Sequence, residues 1–153
     1  MARLPYQVLV FPFRRDQDGA VKYAVFERAY GGGWGAITGG GEEDESPLEA
    51  AERHAREKAS VPLESEFLAL ASFATVPVEA VAGFLPWGPE VLVMPEYAFA
   101  VEVDQTRELV LSGEHWGYQW LAYDPAQRRL VYDPHKNALW ELNYRLKRKG
   151  QAG

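Results

Sequence analysis

Residues Thr38 to Ser60 read "TGGGEEDESPLEAAERHAREKAS" and set a glycine run, an acid cluster and the start of a helix side by side. Ser46, then Pro47, then Glu49 form a capping box with proline at the first helical position, so a helix begins here. Leu48, Ala51, Ala55 and Ala59 recur at helical spacing and predict its buried stripe; alanines there let a helix lie close to a sheet. Glu49, Arg53 and Glu57 line a second face at steps of four.

Upstream, "GGGWGAITGGG" predicts a short strand from Trp34 to Thr38 bracketed by glycines. Before it, "YQVLVFPFRR" and "VKYAVFERAY" are β-branched and aromatic runs joined by "DQDG", which predicts an antiparallel hairpin. Downstream, "EFLALASFATVPV" and "EYAFAVEVD" read as strands, the second alternating through Tyr97, Phe99, Val101 and Val103. Between them "EAVAGFLPWGPEVLVMP" is a long loop, either a lid or specificity element or a cover for the core edge. "GYQWLAY" is a further strand. After the connection "DPAQRRLVY" a helix starts at Asp133-Pro134 and runs to Arg148, with Leu139, Leu142 and Leu146 as its apolar stripe. The order predicts an α+β (mixed α/β) domain, a sheet flanked by helices, spanning residues 1–153.

With 47% hydrophobic residues, a chain of 153 residues holds enough apolar material for one core. The absence of cysteine excludes disulfides and thiolate metal sites and fits a reducing compartment. No apolar run approaches the roughly 20 residues of a membrane span, and the N-terminal apolar run is too short for a signal peptide. A cytoplasmic protein without a membrane contact is the expectation. A net charge of -6 argues against general nucleic-acid binding, and Arg145, Lys147, Arg148 and Lys149 read as a solvated helix end.

The opening stretch resembles the Nudix box: Gly, five residues, Glu, seven residues, Arg-Glu, an aliphatic residue, any residue, Glu-Glu, any residue, Gly and an aliphatic residue. Gly39, Glu45, Arg53, Glu57 and Val61 fall on its pattern, whereas His54, Lys58 and Ser60 replace a Glu, a Glu and the closing Gly. "EHWGYQWL" is similar to a later segment of dihydroneopterin triphosphate diphosphatase-like members, through Glu114, His115, Tyr118, Trp120 and Leu121. "WGAITGGGEEDES" is similar to another, with Asp44 in place of a Gly.

The resemblance implies a Nudix-type α/β/α sandwich with a mixed sheet. It also implies a hydrolase that cleaves a diphosphate linkage in a nucleotide-like substrate, a nucleoside diphosphate linked to another group or a triphosphate. Glu57 and Glu114 would hold Mg²⁺ or Mn²⁺, Glu45 and Arg53 would brace the loop, and Gly39 and Gly40 would shape the diphosphate side. Positions 54, 57 and 58 share a helix face, where three carboxylates would chelate a hard cation. Lys58 cannot ligate while protonated, so the metal site is weakened; His54 can ligate only a softer metal, or both can meet the diphosphate as fixed cations. The alternative is thus a Nudix domain that binds such a ligand without cleaving it. Homodimers are common in the family. Trp34 either stacks on a flat ring or packs in the core, and His135 reads as a surface or capping residue.

Overall fold

The computed structural model describes residues 3–152. Seven strands form one mixed sheet: β1 (Arg3–Arg15), β2 (Val21–Arg28), β3 (Trp34–Gly35), β4 (Ile37–Glu42), β5 (Phe67–Pro77), β6 (Val93–Glu102) and β7 (His115–Leu121). Four helices accompany it: α1 (Pro47–Ala59), α2 (Val78–Ala82), α3 (Tyr123–Arg129) and α4 (Asp133–Ala152). The predicted hairpin is β1 and β2, paired antiparallel from Phe13↔Tyr23 to Arg15↔Val21. The earlier part of β1 pairs antiparallel with β4 on one side and parallel with β6 on the other, and β6 carries β5 at the sheet edge. β2 pairs with β3 and β7.

Period-2 alternation along the central strands divides the core into two layers. Tyr6, Val8, Val10, Phe26, Phe99 and Val101 pack on one face with the alanines of α1. Leu9, Phe11, Tyr23, Val25 and Ala100 pack on the other with Leu139, Leu142 and Leu146 of α4. The result is the expected helix–sheet–helix sandwich.

Several details differ from the sequence reading. β4 runs through Gly39–Gly41 instead of ending before them. The reason is close approach: a Cβ on Gly39 would lie 2.1 Å from the His54 ring, and one on Gly41 would lie 1.9 Å from the Tyr6 ring. Leu48, assigned to the buried stripe of α1, is exposed, and Ala50, Ala51, His54, Ala55 and Ala59 form that stripe instead. The connection after "GYQWLAY" contains α3, which begins beside Asp124-Pro125, the same dipeptide that opens α4. The long segment before β6 holds the short helix α2 and is pinned by Trp87, whose Nε1–H donates to the Arg3 carbonyl at 2.9 Å. Trp34 lies against the α4-side core with the Arg129 guanidinium 4.7 Å from its ring centroid.

His135 is neither exposed nor an end cap: it is buried beside Phe11 and Tyr132, and its Nδ1 accepts the Ala36 N–H at 3.0 Å. That acceptor role requires a deprotonated Nδ1, and burial drives its pKa down to about 3.

Candidate functional site

The loop from β4 to α1 is built from local rules. Ser46 Oγ accepts the Glu49 N–H while the Glu49 side chain accepts the Ser46 N–H, closing the predicted capping box. Asp44 adopts φ 65 in the loop, and Ser60 adopts φ 58 where α1 ends, with its N–H returning to the last helical carbonyls. Both are positions where the resembled pattern has glycine.

Glu45 and Arg53 make the brace that the resemblance implies. Arg53 Nε and Nη2 donate to the two Glu45 oxygens at 2.7 and 3.0 Å, and Nη2 also reaches the Gly40 carbonyl at 3.0 Å. Glu45 in turn accepts the Glu42 N–H at 2.9 Å. Hydrogen bonding from Arg53 holds the Glu45 carboxyl below its ordinary range despite partial burial. Tyr6 closes the arrangement by donating to the Glu45 carbonyl at 2.8 Å.

The helix face with His54, Glu57 and Lys58 is divided between interior and solvent. His54 is buried against Gly39 with Nε2 2.8 Å from the Gly40 carbonyl, so that nitrogen carries the proton and donates. Burial lowers its pKa, and Lys58 and Arg53 add to the effect. A neutral ring inside the helix–sheet seam thus stands where the pattern has a carboxylate. Glu57 extends outward, its side chain 54% exposed and 3.4 Å from Arg53 Nη1.

Lys58 turns toward the other side. Its ammonium donates to the Thr38 carbonyl at 2.5 Å and pairs with Glu114 at 2.7 Å. Burial opposes ionisation of Glu114, but the hydrogen bond and charge of Lys58 outweigh it and keep that carboxyl below its ordinary range. His115 beside it is buried against Phe26, and burial, then Lys58 and Arg28, bring its pKa down to about 4. Tyr118 of the same segment donates to Glu108 at 2.7 Å and accepts the Leu109 N–H at 3.2 Å, so it anchors the preceding loop.

This arrangement does not fit a divalent ion held as the resemblance implies. Among the described residues no three His, Cys, Asp or Glu side chains come together as a metal site. Glu114 is committed to an ammonium, and Lys58 repels a divalent cation from the space beside it.

Arg28 was not singled out by the sequence. Its Nη2 donates to Thr38 Oγ1 at 3.0 Å, and its guanidinium lies 4.8 Å from the Tyr132 ring centroid. An arginine closing a strand gives no local pattern that would mark it. Its position beside Thr38 arises only when β2 and β4 are brought together.

No helix among the described residues is long and apolar enough to cross a membrane. A comparison with curated proteins found no match. The profile of the NUDIX domain matches residues 4–142. A NUDIX hydrolase-type protein from Listeria monocytogenes is 33% identical, with a TM-score of 0.84 over 95% of this chain and 97% of its own. The dihydroneopterin triphosphate pyrophosphohydrolase of E. coli is 18% identical, with a TM-score of 0.76 over 94% of this chain and 99% of its own. The NUDIX domain of Shewanella oneidensis NrtR, solved with ADP ribose, is 16% identical with a TM-score of 0.70, covering 95% of this chain and 90% of its own. Brace, capped helix, sheet order and profile agree: the chain belongs to the NUDIX family.

Proposed function

We propose that the chain is a hydrolase that cleaves the diphosphate linkage of a nucleoside diphosphate derivative or a nucleotide-like triphosphate. The observation that supports this reading is the Glu45–Arg53 brace, which ties the β4–α1 loop to the helix and leaves the Glu57 carboxylate exposed 3.4 Å from Arg53 Nη1. Water attacks a phosphorus, its proton passes to the Glu57 carboxylate, and the bond to the bridging oxygen breaks. Lys58, standing where the pattern has a metal-binding carboxylate, and Arg28, beside Thr38, supply fixed positive charge for the diphosphate. The E. coli neighbour acts on a triphosphate and the Shewanella domain binds ADP ribose, which is the substrate range considered for this chain. Cytoplasmic residence and a homodimer belong to the same proposal.

A second reading, ligand binding without turnover, is favoured by the Lys58–Glu114 pair, because a fixed cation binds phosphate but does not ionise water. One experiment decides between the two. Phosphate release is measured with dihydroneopterin triphosphate, ADP ribose, nucleotide sugars and dinucleoside polyphosphates, each with Mg²⁺, Mn²⁺ or a chelator, using the parent and Glu57→Gln. Release that falls about a hundredfold or more in the variant, the scale of general-base catalysis, establishes the hydrolase. No release, with thermal stabilisation by one of the same compounds, establishes the binding domain.

A further inference from the structure

The outer end of the β5–β6 ladder leaves one face of the sheet uncovered. Phe73 pairs with Tyr97, Thr75 with Pro95 and Pro77 with Val93, and residues paired in this way share a face. It is the α1 side, because the Tyr97 ring stands edge-on to Tyr6, 6.2 Å away, and Tyr6 belongs to the core under α1. α1 does not cover these pairs: Phe73 is 71% exposed, Val93 53% and Tyr97 37%, and Thr75 and Pro77 are exposed as well. The segment joining the two strands adds exposed Val81, Phe84 and Leu92.

Size, charge and shape point to what covers this face. Its exposed side chains present on the order of 500 Å² of apolar surface, at the upper end of what soluble monomers leave bare and close to the roughly 600 Å² that each partner gives to the smaller stable interfaces. None of the six paired residues is charged, while each copy of the chain carries a net charge of -6, so two copies meet here with least repulsion. The rings of Phe73 and Tyr97 stand at one end of the patch and the smaller Pro77 and Val93 at the other. A two-fold axis passing near Thr75 and Pro95 therefore sets the rings of each copy on the small end of its partner. Edge-to-edge pairing of β5 is blocked where Glu141 takes the Ala71 and Ser72 N–H groups, which leaves the face as the route to association.

We infer that a second copy of the chain docks face to face on Phe73, Thr75, Pro77, Val93, Pro95 and Tyr97. The inference rests on the homodimer included in the proposed function and assigns its interface. That interface borders the brace, since Tyr97 packs on Tyr6 and Tyr6 donates to the Glu45 carbonyl at 2.8 Å. The exposed pair Trp140 and Tyr144, stacked on α4 with ring centroids 5.3 Å apart, belongs to the other side of the sheet and stays in solvent in such a dimer.

The test is sedimentation equilibrium over a dilution series, comparing the parent with Phe73→Glu, Val93→Glu and, as a control on the other side of the sheet, Trp140→Glu. The expected result is a parent that dimerises and dissociates on dilution. Its dissociation constant should weaken at least about thirtyfold in Phe73→Glu and in Val93→Glu, the scale of an interface hot spot, and stay unchanged in Trp140→Glu. All three side chains are exposed, and circular dichroism verifies folding; if one interface variant misfolds, the other decides. A parent that stays monomeric at the highest concentration, an unchanged constant in either folded interface variant, or an equal loss in Trp140→Glu overturns the inference. The first outcome refutes the homodimer together with its interface, and the other two refute the interface alone. Hydrolysis is decided separately, by phosphate release.

Discussion

Asp44 and Ser60 show how a departure from a pattern acts through the backbone. Each is an L-residue held at positive φ, at 65 and 58, where glycine carries no Cβ penalty. Ser60→Gly is therefore expected to raise stability by about 0.5–1 kcal/mol, the left-handed penalty less the added freedom of the unfolded chain. Chemical denaturation with the slope unchanged measures it, and a lower midpoint contradicts it. Lys58 is a departure of another kind, because its ammonium sits between Thr38 and Glu114. Lys58→Glu removes a cation and adds a carboxylate near Glu57 and Glu114. Mn²⁺ binding should tighten by about tenfold or more, the scale of a charge change at a few ångströms under an effective dielectric of about 20. Titration calorimetry reads it, and an unchanged affinity refutes the view that Lys58 keeps the metal out.

At the scale of elements, α4 protects the sheet edge. β5 is an outer strand, and its register shifts between Ala69 and Phe73. There the Glu141 carboxylate accepts the Ala71 and Ser72 N–H groups, both at 2.7 Å, and the Ser72 hydroxyl at 2.6 Å, while Arg145 holds it at 2.7 Å. Glu141→Ala leaves these donors to water and is expected to cost about 2 kcal/mol, as for lost hydrogen bonds to a charged group. It also bares the edge, so light scattering should detect association at concentrations where the parent stays dispersed. A variant as stable as the parent would show that the clamp is idle. This contact was not legible in the sequence, where Glu141 is one acid on a helix; it exists only because α4 crosses the bulged strand. The capping box and the Glu45–Arg53 brace were legible because their partners lie three and eight residues apart. Lys58 and Glu114 were each marked by the resemblance, but their pairing required the folded sheet.

For the molecule as a whole, the layered order was readable because the strand and helix periods are regular, whereas the buried histidines were not, since three histidines at isolated positions carry no periodicity. His135 makes stability depend on pH. Its folded pKa of about 3 lies below the ordinary 6.5, so between these values the unfolded chain binds the extra proton. Stability from this residue is complete above about pH 6.5 and falls as the solution is acidified toward pH 3. In His135→Gln the slope of melting temperature against pH should flatten across that window; an identical slope would assign acid sensitivity to other groups.

The glycines of β4 carry a consequence beyond packing. His54 and Tyr6 rest where side chains on Gly39 and Gly41 would be, and Arg53 and Lys58 from the same helix end on the carbonyls of Gly40 and Thr38. The strand thus works as a depth stop for α1. One methyl group added at position 39 would lift the helix, draw both cations off their carbonyls and loosen Glu114 from its ammonium. A change that carries no charge would then act as an electrostatic mutation of the surface around Lys58 and Glu114.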